Sequence, residues 1–156
     1  MVIQSWMRSG DSVSSTDIED FLAVLLRTLD KSNIGLVRAD NGFFSESTLG
    51  IFEDNKLKYI VAVKMYAGLV QKIFEADSWV PYSDGINICS IECKLSGWDH
   101  ARRVVVVRKN KVEHPKSGGK SLFEKYDEFS NYLYSAFVTD LELSDKLIWE
   151  LYHHRS

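Results

Sequence analysis

Gly35-Leu36-Val37-Arg38-Ala39-Asp40-Asn41-Gly42-Phe43-Phe44 reads as a short strand that ends on a carboxylate and then turns. Ile34, Leu36, Val37 and Ala39 favour a buried strand, and Asn41-Gly42 is a strong turn dipeptide. Ser45 follows as a helix N-cap whose hydroxyl oxygen can accept from free N–H groups, and Glu46 suits the positive end of the helix dipole. A carboxylate at the C-terminal end of a strand, in a strand-turn-helix unit, lies where open α/β sheets place their sites. An Asp before Asn-Gly is also an ordinary turn former, so the local pattern alone leaves both roles open to Asp40.

Outward from that stretch, Val2, Ile3, Trp6 and Met7 predict a strand near the N-terminus. Thr16 and Glu19 form a Ser/Thr-x-x-Glu capping box. Ile18, Phe21, Leu22, Leu25, Leu26 and Leu29 then recur at helical spacing. A short helix is expected over 45–55, with Asn55 taking the left-handed conformation that ends it. The run Leu57–Met65 predicts a buried strand and Gly68–Ala76 a helix. This alternation implies a mostly parallel sheet covered by helices. The pattern shifts near Trp79. Pro81, Ser83, Asp84 and Gly85 read as a loop, and Ile86–Leu95 alternates as a half-buried strand. A return strand at Val104–Val107, a basic loop over 110–120, a strand at Tyr132–Thr139 and a last helix capped by Ser144 complete the chain.

The run Val37–Phe43 resembles the R-A-D-x-G-F segment of DDE-class insertion-sequence transposases. The likeness continues through Tyr59–Lys64, Arg102–Val107 and Ala136–Leu141, in the family's order. It implies an α/β fold: an incomplete RNase H-like core, a mixed sheet flanked by helices, with an antiparallel β insertion. Residues 1–78 and 132–156 would form the partial core, and 79–131 the β-hairpin insertion with its basic loop. Asp40 matches the second of three catalytic carboxylates and would be a ligand of Mg2+. Two such ions, about 3.5–4 Å apart, serve cleavage and strand transfer in the complete enzymes. Tyr152 and Arg155 match the first two positions of a Tyr-x2-Arg-x3-Glu pattern on the family's last helix, where they would hold the DNA backbone. The matching Glu would fall three residues past Ser156, and the first Asp before the strand at Val2–Met7. The expectation is therefore a transposase piece truncated at both ends and inactive alone. Its partners would be transposon-end and target double-stranded DNA. A homodimer could form through an unpaired strand edge at Val2–Met7.

At 156 residues, with 45% hydrophobic and 26% charged, the chain suits one soluble domain. Neither a membrane-spanning run nor a secretory leader is evident. The pair Cys89 and Cys93 is too few for a disulfide framework, which points to free core-facing thiols in a reducing cytoplasm. Net charge of −3 excludes a protein that is basic all over. Between Arg102 and Lys120, however, seven Lys or Arg face one acid, Glu113. Arg108, Lys109, Lys111, Lys116 and Lys120 are thus candidate phosphate contacts, and a solvated hairpin end is the alternative.

Other acids compete with Asp40. Asp140 follows the last strand and reads chiefly as a loop acid. Asp84 with Glu92-Cys93-Lys94 resembles the D…E-x-K site of metal nucleases, since Glu92 and Lys94 share a strand face. His153-His154 diverge around a helix and read as surface. Beside the transposase reading stand a non-catalytic DNA-binding or dimerising module and a D…E-x-K nuclease.

Overall fold

The computed structural model describes residues 14–29, 34–111 and 129–153. The strand expected at Val2–Met7, Lys116, Lys120, His154 and Arg155 lie outside those residues. The elements run α1 (Ser14–Thr28), β1 (Val37–Ala39), α2 (Glu46–Asp54), β2 (Tyr59–Ala62) and α3 (Ala67–Glu75). They continue with β3 (Val80–Ser83), β4 (Ile86–Cys93), β5 (Arg102–Asn110), β6 (Tyr132–Thr139) and α4 (Asp145–His153).

All six strands join one sheet in the order β1-β2-β6-β5-β4-β3. Among the described strands only β1 and β2 are parallel; the other four pairings are antiparallel. The sheet is therefore mixed, and the expectation of a mostly parallel one holds for a single pair. A parallel pair needs a crossover, which α2 supplies, whereas the turns at 84–85 and 94–101 are long enough only for antiparallel returns. Segment 79–131 contributes β3, β4 and β5, which continue the same sheet beyond β6.

Strand alternation divides the core between two faces. One face carries Val61, Val63, Cys89, Val104, Val106, Ala136 and Val138. Ile18 and Leu22 of α1, Leu49 and Phe52 of α2, and Leu69 and Ile73 of α3 pack on it. The opposite face carries Ile60, Ile88, Val105, Val107 and Phe137 under Ile148 of α4. Both thiols are buried, and burial pushes Cys89 up to about 12, so it stays an inert core thiol.

Several local expectations shift. Thr16, expected as a cap, lies within α1 as described (Ser14–Thr28). Asn55 keeps φ −91, and the left-handed residue is Lys56 at φ 56. Pro81 and Ser83 belong to β3, an outer strand in which proline's missing N–H costs no ladder bond. Gly85 at φ 71 makes the turn that follows.

A buried cation ties α2 to β5. Arg102 donates from Nε to Glu53 Oε1 at 2.7 Å and from Nη2 to Glu53 Oε2 at 2.8 Å. It also donates to Glu46 at 2.5 and 3.0 Å. Its side chain is 4% exposed and lies 4.9 Å from the Trp98 ring centroid. Tyr59 adds a 2.7 Å hydroxyl bond to Glu53. Burial opposes the charge on Arg102, but the two carboxylates outweigh it and raise its pKa. The hydrogen bonds from Arg102 lower Glu53. In Glu46 burial pushes upward and is outweighed by Arg102 and the Asp99 N–H.

Removing the cation strands two carboxylates, so Arg102→Met should destabilise the fold at pH 7 by about 3–5 kcal/mol. Both acids have folded pKa values below the ordinary 4.5, so their contribution is present above that value and is lost as pH falls through the folded values. The gap between wild type and Arg102→Met in urea unfolding should therefore narrow below about pH 4.5. A gap independent of pH would show that the carboxylates do not stabilise through Arg102.

Candidate active site

Asp40 sits directly after β1, with extended backbone at φ −79. Its Oδ1 accepts the Gly42 N–H at 2.8 Å, and its carbonyl accepts from Phe43 at 3.2 Å, closing a 3-10 turn over Asn41–Phe43. A Cβ on Gly42 would lie 2.9 Å from Asp40 Oδ1, which explains the glycine two places after the acid. Ser45 then caps α2 by accepting the Thr48 N–H at 3.1 Å. The turn-forming and site-forming roles left open for Asp40 thus coexist: one carboxylate oxygen holds the turn, and the side chain stays exposed.

The exposed carboxylate opens on a cleft of about 190 Å³ lined by Arg38, Ala39, Asp40 and Tyr152. Helix α4 forms one wall and is pinned to the sheet at both ends. At its start, Arg103 donates to the Leu141 carbonyl at 2.7 Å and to the Asp145 carboxylate. At its end, Arg38 donates to the Leu151 carbonyl at 2.6 Å, where a cation also complements the helix dipole. The Tyr152 hydroxyl reaches the Ala39 carbonyl at 3.5 Å, and its ring lies 4.3 Å from that of Phe137. Helix α4 therefore ends beside Asp40. Arg38 was legible only as the arginine of the R-A-D-x-G-F segment, two residues before Asp40 and so on the same strand face, and was not singled out as a site residue.

Asp40 offers the hard oxygen that a divalent cation such as Mg2+ prefers. Among the described residues no group of three His, Cys, Asp or Glu could hold a metal ion. The donor chemistry fits, while the described chain supplies one ligand of a set.

Asp140 does not join Asp40. Its carboxylate accepts the Tyr59 N–H at 3.0 Å and pairs with Lys58 at 3.0 Å. Because β6 runs antiparallel to β2, Asp140 lies at the sheet end where β2 begins, about 10 Å along the strands from Asp40. Asp84 and Glu92 likewise flank opposite ends of β4, and Lys94 donates to the Asp99 carbonyl at 2.7 Å. The D…E-x-K arrangement does not converge. His153 stacks on Trp149 at 4.7 Å.

The cationic candidates separate by environment. Arg102 and Arg103 are consumed by ion pairs. Arg108 lies between the rings of Trp79 and Tyr132, at 4.2 and 4.3 Å from their centroids. Lys111 reaches the Ser130 carbonyl at 2.5 Å, and Lys109 is exposed. Counting charges along 102–120 overstates the cation free to meet a partner, because side chains that bridge strands are spent internally.

Residues 10–156 match the family described as the transposase DDE domain. No curated protein matches the chain.

Gly42→Ala should move the Asp40 carboxylate and leave the fold in place, because the contact made is the end of a flexible side chain. Unfolding free energy should change by about 1 kcal/mol or less, while a crystal structure shows Asp40 in another rotamer. An unmoved carboxylate would mean that the turn itself gives way.

Proposed function

By that match this chain belongs to the DDE-domain transposases, with the mixed α/β sheet of their RNase H-like domain, and from that membership we propose that Asp40 is one carboxylate of a centre for phosphodiester cleavage and strand transfer on double-stranded DNA. What supports this reading most is the placement of Asp40 itself. It lies at a strand end, its carboxylate is fixed by Gly42, and α4 is pinned beside it by Arg38. The remaining carboxylates come from outside the described residues. Residues 79–131 are an insertion that widens the sheet of the core.

In this reading Asp40 would give one oxygen to Mg2+, and a pair of such ions would supply activation of the attacking oxygen and neutralisation of charge on the leaving one. Tyr152 lines the cleft and shapes the space for a phosphodiester, and Lys109 and Lys111 contribute long-range attraction for phosphate. The exposed side chain of Asp40 leaves its second oxygen toward the cleft. In this reading the protein acts on DNA in the cytoplasm and pairs with a second copy; no helix among the described residues is long and apolar enough to cross a membrane.

A single ligating carboxylate among the described residues also favours a second reading, a non-catalytic module that binds DNA. Two assays separate them. Duplex binding, read by fluorescence anisotropy, should be nearly equal for wild type and Asp40→Asn. Nicking of supercoiled plasmid with Mg2+ should be read in a protein that also carries the flanking coding sequence. There Asp40→Asn should lower the rate on the order of 10³-fold or more, because grouped catalytic residues fail as a unit. Cleavage insensitive to Asp40→Asn would move the centre elsewhere. Binding without cleavage in either protein would favour the non-catalytic module.

A further inference from the structure

We infer that Lys64 is a phosphate contact and that the DNA track crosses the α4 side of the sheet from Asp40 past Lys64 to Lys109. The inference rests on the reading of Asp40 as a site for DNA.

The strand registers bring these residues together. Ala39 pairs with Val61, so Asp40 stands level with Ala62, which pairs with Phe137, which in turn pairs with Val105. Strands β1, β2 and β5 point the same way, and their C-terminal ends share one end of the sheet. Lys64 follows β2 two positions beyond the level of Asp40, one strand away, or about 8 Å between backbones. Lys109 lies four positions beyond that level and three strands away, about 20 Å from Asp40.

The face is set by alternation. Val61 and Val63 point to the side of α1–α3, while Ile60 points to the side of α4. Continuing the period places Lys64 on the α4 side. On β5, Val105 and Val107 pack toward α4, and Lys109 continues that row. On β1, Val37 and Ala39 pack toward α1–α3, leaving Arg38 and Asp40 on the α4 side, as the Arg38–Leu151 bond requires. The described part of α4 reaches Asp40, and beyond it on this face Lys64, Lys109 and Ser135 are all exposed. Two cations and an acid that wants a metal thus lie on one face at one end. The anion that spans such a row is a phosphodiester chain, whose charges repeat along its length.

The test measures duplex affinity by anisotropy across a salt series, with far-UV circular dichroism confirming the fold of each variant. Lys64→Gln should flatten the log–log slope by about 0.9 and Lys64→Gln/Lys109→Gln by about 1.8, one phosphate each. Lys64→Arg should keep the wild-type slope. Lys72→Gln, on α3 and paired with Glu75, should also keep it. A wild-type slope in Lys64→Gln, with Lys109→Gln flattened, would overturn the track while leaving the DNA reading intact. Failure of the wild-type chain to bind duplex at low salt would overturn both.

Discussion

Strand β6 is the constraint on which the architecture depends, because it is hydrogen-bonded on both edges to partners from distant parts of the chain. Thr139 pairs with Ile60 on one side and with Arg103 on the other. Its buried hydroxyl donates to the Tyr59 carbonyl at 2.7 Å and accepts the Leu141 N–H at 3.1 Å. Without β6, the parallel pair that carries Asp40 and the antiparallel strands β3–β5 would be separate pieces, each with an unpaired edge. With it, both faces become continuous enough for helices to cover: Val138 packs toward α1–α3 and Phe137 toward α4.

Three arginines then fix the helices to that sheet. Arg102 binds α2 through two carboxylates, Arg103 holds the start of α4, and Arg38 holds its end. Guanidinium suits this work, since its planar fork can serve two partners while its stem lies along apolar surface. Burying such a group is expensive unless every donor is met, and for Arg102 the described bonds engage Nε and both terminal nitrogens. The route from Asp40 into α2 is therefore stiff at both ends: the Gly42 N–H holds its start, and Arg102 holds Glu46 and Glu53 along the helix.

Legibility in the sequence followed the range of the interaction. Ser45 as a cap, the strand Tyr132–Thr139 and the apolar stripe of α1 depend on neighbours three or four residues away, and periodicity exposes them. The mixed character of the sheet and the family came from segments in order, Val37–Phe43 foremost. Pairings between remote residues left no local trace. Arg102 and Arg103 were indistinguishable from solvated cations until Glu46, Glu53 and Asp145 were brought to them. Asp140 read chiefly as a loop acid, but nothing local said where it would lie; the antiparallel sense of β6 sends it to the other end of the sheet from Asp40. Lys56 took the left-handed position expected at Asn55 because Asn55 still accommodates right-handed backbone, its amide donating to the Ile51 carbonyl at 2.7 Å.

The position of β6 also dictates an order of assembly. Strands β4 and β5 are joined by a short turn and align over eight residue pairs, so their hairpin closes a small loop at low entropic cost. Strand β6 can zip onto the exposed edge of β5, again over eight pairs. Pairing of β2 with β6 joins sequence-distant halves over only three residue pairs and has to wait for that template. The segment bearing Asp40, attached through β2 alone among the described strands, is then the last of them to be organised. Among the described strands, the chemistry of the molecule would thus be assembled at an edge of the sheet that folding reaches late.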